Sequence, residues 1–169
     1  GQPVPEWEGG LGATITIGRN LQLYGLADFI KGRTLINGDI GAVHRFFLNS
    51  RAILERTDPI LLGYETLGGT GVWQTGIHKG DFLKLRTVSA TYTLPDDWTD
   101  RFGASRITVT ASLDNVATLW QGAKDVFGHR VMDVERTNQI GGATPGLNAY
   151  HQEGWPQLRR FVTTLRVSF

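Results

Sequence analysis

The stretch DFLKLRTVSATYTL, from Asp81 to Leu94, decides the fold. Its second half alternates apolar or small residues with hydroxyl-bearing ones, which is the period-two pattern of a β-strand with one apolar and one polar face. Its first half, from Phe82 to Arg86, carries apolar residues in the opposite phase. The pattern therefore predicts one long strand with a bulge or register change near Arg86.

Four further stretches show the same alternation and are also predicted to be strands. They place Thr, Ser and Arg on one face and aliphatic or aromatic residues on the other. Strands in soluble proteins typically have about 5–6 residues, whereas a tilted strand that crosses a bilayer needs about 9–11. Strand length thus favours a membrane barrel over a soluble sandwich. The predicted strands are Leu11 to Ile17, Asn20 to Arg33, Arg106 to Asp114 and Leu158 to Phe169.

The connections between the five predicted strands alternate in length. Gly18 to Asn20 and Pro95 to Ser105 are short, whereas Thr34 to Gly80 and Asn115 to Gln157 are long. Antiparallel neighbours place successive connections on opposite sides of a sheet, so both short turns share one side and both long loops the other. Outer-membrane barrels have this asymmetry, with short periplasmic turns and long outer loops. Within the first long loop, Ala42 to Arg56 fits a short helix.

Composition excludes several classes of protein. The 169 residues include 17 basic and 16 acidic side chains, a net charge of +1 without a basic stripe, so nucleic acid is not an expected partner. Mean hydropathy is −0.17, and no apolar run approaches the roughly 18 residues of a membrane-spanning helix. Cys is absent, which excludes disulfides and thiolate metal sites. Gly1 is neither an initiator Met nor followed by a signal segment, so either a signal was removed or the chain starts within a longer protein, and we favour the second interpretation.

No catalytic, metal or cofactor site is predicted. The four histidines do not have the spacing of a helical metal motif, and Gly68 to Gly71 lacks the Lys of a phosphate-binding loop. Asp125, His129, Asp133 and Glu135 lie close together in the second long loop and could bind a cation, but a solvated loop is the favoured interpretation. The chain is accordingly not expected to be an enzyme.

Aromatic residues on or beside the long loops are the candidate ligand-binding residues. Trp73, Trp120, Tyr150 and Trp155 could stack on a sugar or contact an apolar ligand. They could equally form an outer aromatic girdle or pack the loops together. Trp98, in a short turn, is interpreted as a girdle residue on the other side of the membrane.

Several of these stretches resemble one transporter family. Gly80 to Pro95 is similar to a late barrel strand of the SusC/RagA-type TonB-dependent outer-membrane transporters, and Ser112 to Val116 is similar to the end of the family's next strand. Pro156 to Phe169 resembles the closing strand, and the opening from Pro5 to Gly32 resembles the preceding hairpin. By this resemblance, the chain is identified as a C-terminal barrel segment of such a transporter.

The resemblance implies an all-β fold. Residues 1–169 would form the C-terminal strands of an antiparallel transmembrane β-barrel of about 22 strands, with long extracellular loops and with the plug domain and earlier strands absent. Five strands cannot close by themselves, since the smallest membrane barrels have about 8. The implied function is TonB-dependent uptake of oligosaccharides or peptides across the bacterial outer membrane, with this chain supplying barrel wall and outer loops.

The resemblance also implies partners and one signal residue. The expected partners are outer-membrane lipid, a SusD-like surface lipoprotein, TonB through the missing N-terminal region, and the barrel-assembly machinery. Phe169, at the end of the last strand, would be the signal that the assembly machinery recognises. The competing hypothesis is a soluble β-rich carbohydrate-binding module whose long loops form the site. Such a module would purify without detergent.

Overall fold

A computed structural model describes residues 1–37, 54–56, 77–124, 128–130, 133–135, 150–151 and 157–169. The chain forms two compact units. The first unit comprises Gly1–Glu8, Ile30–Phe82 and Gln121–Pro156, and the second comprises Gly9–Phe29, Leu83–Trp120 and Gln157–Phe169. Of the predicted helix from Ala42 to Arg56, only Leu54 to Arg56 is described, and the remainder lies outside the described ranges.

The described secondary structure is almost entirely β, which confirms the predicted all-β, mainly antiparallel fold. Within the described ranges, no helix is long and apolar enough to cross a membrane. A helical turn α1 and a 3-10 turn lie together in one short connection. The elements are β1 Trp7–Ile17, β2 Leu21–Lys31, β3 Thr34–Asn37, β4 Ile77–Lys79, β5 Phe82–Thr93, α1 Asp96–Thr99, the 3-10 turn Asp100–Phe102, β6 Arg106–Gln121, β7 Tyr150–His151 and β8 Arg160–Ser168.

The five predicted strands correspond to β1, β2, β5, β6 and β8, which pair in that order in one sheet. The predicted boundaries agree within about two residues for three of them, but β1 begins earlier, at Trp7, and β6 continues to Gln121. The end of β6 was predicted wrongly because polar Asn115 interrupts the alternation at a position where an apolar residue would continue it. This residue adopts a left-handed backbone with φ of 52°, a conformation that Asn tolerates better than most residues.

The register of β6 and β8 explains the alternation along both strands. They are antiparallel, with Val109 opposite Leu165 and Leu113 opposite Phe161. The intervening positions pair polar residues, as at Thr110 and Thr164. Directly opposed residues lie on the same face of a sheet, so this register keeps one face largely apolar and the other largely polar. A shift of one residue would mix the two faces.

The two short connections lie at the same end of the sheet, as their lengths predicted. Asn20, in the turn between β1 and β2, accepts a backbone hydrogen bond from Thr93 N at 2.8 Å and donates its side-chain Nδ2 to Thr93 O at 2.6 Å. Thr93 is the last residue of β5, where the second short connection begins. In that connection Thr99 is buried, and its hydroxyl donates to Asp96 O at 3.0 Å.

The first unit contains a three-stranded sheet that the sequence did not predict. Its order is β4-β3-β7, with β3 antiparallel to β4 and parallel to β7. These strands lie within the two connections that were predicted to be loops. They have 4, 3 and 2 residues, which is too short for a period-two pattern to be recognised. Leu35, Phe82, Ala123 and Val134 form a buried apolar cluster in this unit.

Asp81 joins the strand ends that lead into the long connections. Its carboxylate accepts hydrogen bonds from the backbone N–H groups of Gly32 at 2.8 Å and Arg33 at 3.2 Å. Its carbonyl oxygen accepts the N–H of Gly122 at 2.9 Å. Gly32 has a φ of 82°, a region that residues with a Cβ rarely adopt. The ends of β2 and β6 and the start of β5 are therefore fixed at one residue.

Candidate functional site

The polar face of the five-stranded sheet carries an ion pair between β2 and β5. Arg86 donates from Nε to Asp28 Oδ1 at 2.6 Å and from Nη2 to Asp28 Oδ2 at 2.7 Å. The two side chains are 21% and 29% exposed. This two-point geometry matches the planar guanidinium to the carboxylate and makes the pair stronger than a single-contact pair.

A second set of contacts continues across β5, β6 and β8. Thr87 donates its hydroxyl to Asp114 Oδ1 at 3.1 Å. Arg160 donates to Asp114 Oδ2 from Nη2 at 2.8 Å and from Nε at 3.1 Å. Together with the Asp28–Arg86 pair, these contacts span four adjacent strands. We call these five residues the polar belt.

The polar belt borders an open cavity of about 440 Å³. Arg86 and Thr87 both line it, although neighbouring residues of a regular strand point to opposite faces. Because the side chain of Arg86 bonds to Asp28 and that of the next residue, Thr87, bonds to Asp114, both reach the polar face, which supports the predicted register change near Arg86. Asn115, the left-handed residue of β6, also lines the cavity and donates Nδ2 to Leu158 O at 3.0 Å.

The other face of the sheet is apolar and exposed. Gly10 and Gly12 of β1 lie on the same face as the polar belt. A side chain at Gly10 would point toward Asp28, and one at Gly12 would point toward Tyr24. The alternating residues of β1 then lie on the opposite face. Contiguous apolar surface of this kind marks a membrane or interaction site. The exposed apolar residues of this face include Leu11, Ile15, Ile17, Val88, Tyr92, Phe161, Leu165 and Val167.

Of the four aromatic residues predicted to contact a ligand, the structure describes the side chain of Trp120 alone. Trp73 and Trp155 lie outside the described ranges. The backbone of Tyr150 belongs to β7, opposite Ile36 in the parallel register. Trp120, near the end of β6, is 49% exposed. The proposed ligand contacts of these four residues stay predictions.

Three other residues were given possible roles from the sequence, namely Trp98, Phe169 and Asp125. Trp98 is 59% exposed in α1, and Phe169 is 90% exposed after the end of β8. Their roles as girdle residue and assembly signal stay predictions. Asp125, one of the four possible cation ligands, lies outside the described ranges. Among the residues that are described, no group of three or more His, Cys, Asp or Glu side chains could hold a metal ion.

Sequence reasoning did not identify the polar belt. Each member is a charged or hydroxyl residue within a strand, and its strand position was predicted. What the sequence lacks is the pairing, since Asp28 and Arg86 are 58 residues apart. The sequence did show an acidic residue in β2 and a basic residue in β5. It did not show the strand register that places these two residues opposite each other.

Comparisons with known proteins give fold similarity alone. No family model matches the sequence, and no curated protein matches it. Among solved structures, the RagAB peptide importer in its "open-open" state matches with a TM-score of 0.65 and 20% identity over 98% of this chain. Its "closed-closed" state matches with the same TM-score and 19% identity. The chain spans 17% of the length of either matched chain. The fold is therefore related to that of a part of RagAB.

Proposed function

We propose that this chain is a wall segment of an outer-membrane β-barrel that imports nutrients. The observation that carries the proposal is the two-faced sheet. One face has the hydrogen-bonded polar belt, and the other exposes apolar side chains such as Leu165 at 64% and Phe161 at 69%. In a membrane barrel the apolar face contacts lipid and the polar face lines the interior.

Strand length supports a membrane location. β1 and β2 have 11 residues each, β5 has 12, β6 has 16 and β8 has 9. A tilted strand needs about 9–11 residues to cross the hydrocarbon layer. In lipid, every backbone N–H and C=O must be paired, so the sheet would continue beyond β1 and β8 into further strands of a closed barrel.

The relation to RagAB supports import as the transport direction and suggests the cargo class. The matched structures are named as a peptide importer, so we propose oligopeptides as the first class to test and oligosaccharides as the second. Uptake would be energised through TonB, and a SusD-type lipoprotein would cover the outer side. This chain would supply barrel wall and outer loops, while the polar belt stiffens the wall across four strands. No catalytic role is assigned to it.

Localisation and uptake can be tested in the organism that makes the protein. We expect the full-length protein in the outer-membrane fraction, released only by detergent. Deletion of its gene should abolish uptake of fluorescent oligopeptides, and a plasmid copy should restore it. A protonophore should block uptake in the wild type, because TonB coupling needs the proton-motive force.

The same experiment separates the alternatives. Loss of oligosaccharide uptake with normal peptide uptake would support the import proposal but identify oligosaccharides as the cargo. Recovery of the protein from a detergent-free soluble fraction would instead support the carbohydrate-binding module. Unchanged uptake of both cargo classes in the deletion strain would contradict the import proposal.

A further inference from the structure

The first unit contains a second open cavity, separate from the one beside the polar belt. Its volume is about 540 Å³. Three cationic side chains, Lys31, Arg33 and Lys79, and two carboxylates, Glu6 and Asp81, line it. Three positive charges minus two negative charges leave one positive charge on these side chains. We call this space the basic cavity.

The carboxylates of the basic cavity already have hydrogen-bond donors. Asp81 accepts the backbone N–H groups of Gly32 and Arg33 at 2.8 and 3.2 Å. Glu6 accepts Gln2 Nε2 at 3.4 Å, which is at the long limit for a hydrogen bond. Asp81 is therefore committed to the backbone, and Glu6 is the more weakly held carboxylate.

The cations of the basic cavity are less well satisfied. Lys31 and Lys79 are exposed, and neither ammonium group meets a carboxylate within the described ranges. Arg33 donates from Nη2 to the carbonyl oxygen of Val134, but its Nε meets no acceptor among the described residues. Burial lowers the pKa of the Arg33 guanidinium, an effect that the charges of Glu135 and Asp81 oppose. An incoming anion would stabilise this partly desolvated cation.

We propose that the basic cavity binds a carboxylate group of a ligand. A carboxylate would supply the counter-charge that Lys31 and Lys79 lack among the described residues. The two lysines would attract the ligand from solvent, since their ammonium groups are free to move toward it. Arg33, which also lines the cavity, would add its positive charge to the attraction, while the lysine ammonium groups make the direct contacts with the carboxylate. The C-terminus of a peptide and a uronic acid sugar both offer this group.

Matched ligands test the proposal and identify the source of the carboxylate. The full-length protein in detergent would be titrated by calorimetry at low ionic strength. One pair of ligands is N-acetylated trialanine with a free or an amidated C-terminus, and the other is glucuronate and glucose. We expect saturable binding of at least one acid and no binding of its neutral partner. Binding should weaken as salt is added, because exposed charges are screened.

Variants assign the binding to the basic cavity. Lys31→Gln and Lys79→Gln each remove an exposed cation and should weaken binding by about two- to fivefold. Glu6→Gln removes the weakly held carboxylate and should strengthen it. Arg101→Gln is the control, because Arg101 is also an exposed cation but does not line the cavity. It should leave the affinity unchanged. Each variant should keep the heat-modifiable gel migration of the folded protein.

Three results would overturn the inference. One is equal binding of an acid and its neutral partner, and another is equal loss in Arg101→Gln and the lysine variants. The third is the absence of binding by either acid. Because these assays measure equilibrium binding alone, a protein that imports peptides normally but binds no carboxylate would leave the import proposal standing.

Discussion

At the scale of single residues, the Asp28–Arg86 pair is expected to couple β2 to β5 energetically. Its two short hydrogen bonds and its limited exposure separate it from ordinary surface pairs. In a double-mutant cycle with Asp28→Asn and Arg86→Gln, we expect a coupling free energy of about 1–2 kcal/mol, since hydrogen bonds to charged groups contribute that much. Urea unfolding of the full-length protein in micelles would measure it.

The Asp114–Arg160 pair is the matched comparison for that cycle. Arg160 is 74% exposed, so water competes for its guanidinium. The coupling between Asp114→Asn and Arg160→Gln should be smaller than that between the first pair. Equal coupling in the two cycles would mean that exposure does not govern the strength of these ion pairs.

His78 should make the first unit less stable at low pH. It lies in β4 opposite Leu35, its Nε2 meets no hydrogen-bond partner within the described residues, and burial lowers its pKa. An unfolded chain, whose His pKa is about 6.5, therefore takes up the proton first. The contribution of His78 to stability should fall as pH drops below about 6.5 and become constant below the folded pKa of His78. An NMR titration of the imidazole should give a midpoint below 6.5.

The variant His78→Gln is the control for this pH effect. It removes the titrating group, so thermal scans between pH 5 and pH 7.5 should show a weaker pH dependence than those of the wild type. An imidazole midpoint at or above 6.5 would contradict the prediction, and so would identical pH profiles of the two proteins.

At the scale of elements, β8 offers neighbouring positions on opposite faces. Leu165 is paired with Val109 and is 64% exposed, whereas Thr164 is paired with Thr110. If the apolar face contacts lipid, Leu165→Arg should destabilise the barrel by about 2–4 kcal/mol near the bilayer midplane. Thr164→Arg should have a much smaller effect, because it faces the polar interior.

Assembly of the full-length protein in cells and its unfolding in urea would measure both changes. The two variants introduce the same side chain at adjacent positions. When they are compared with each other, the effects of arginine on expression and on strand propensity are therefore largely the same. Equal destabilisation by Leu165→Arg and Thr164→Arg would mean that β8 does not separate lipid from a polar interior.

The elements also show which parts of the fold the sequence could predict. Long strands such as β5 and β8 were predicted because alternation over many residues identifies a two-faced strand. β6 was predicted too short, since polar Asn115, which has a left-handed backbone, interrupts the alternation in the middle of the strand. β3 and β7 were missed because their parallel pairing joins Ile36 to Tyr150, residues far apart in sequence, over very few positions.

At the scale of the whole molecule, the alternation of short and long connections predicts which connections lie on each side of the membrane. If β8 ends in the periplasm, the connections at the Asn20 and Asp97 end are periplasmic, and the long connections are outside. The chain has no Cys. Single cysteines can therefore be introduced here in a full-length protein from which any other cysteines have been removed. Cys at Leu54 or Lys124, both exposed, should react with an impermeant maleimide in intact cells. Cys at Asp97 should react only in permeabilised cells.

Labelling at Asp100 provides a second position for the periplasmic side, because this residue is also exposed. Reaction of Asp97→Cys and Asp100→Cys in intact cells, with protection of Lys124→Cys, would invert the topology. Reaction of every position in a detergent-free soluble protein would contradict the membrane location itself.

The candidate site was less predictable than the fold. The aromatic residues were selected because they lie on or beside long loops. Position in the sequence does not show which of these side chains lie close together in space. The polar belt depends on the register between strands, and register between distant strands cannot be obtained from spacing in the sequence. The sequence alternation is consistent with Asp28 and Asp114 lying on the polar faces of β2 and β6, but their partners could be identified only from the structure.

The anchorage at Asp81 has a consequence for how such a protein can diversify. One carboxylate and one carbonyl hold Gly32, Arg33 and Gly122, the residues where both long connections leave their strands. In the proposed transporter, loop residues beyond these hydrogen bonds and outside the buried cluster around Phe82 would be open to exchange or lengthening without altering the register of the sheet. If the chain has the proposed transport function, cargo preference and sheet stability would then evolve as separate traits, in the way that antibody loops vary on a constant framework. Asp81 itself would be the residue that such exchanges must leave in place.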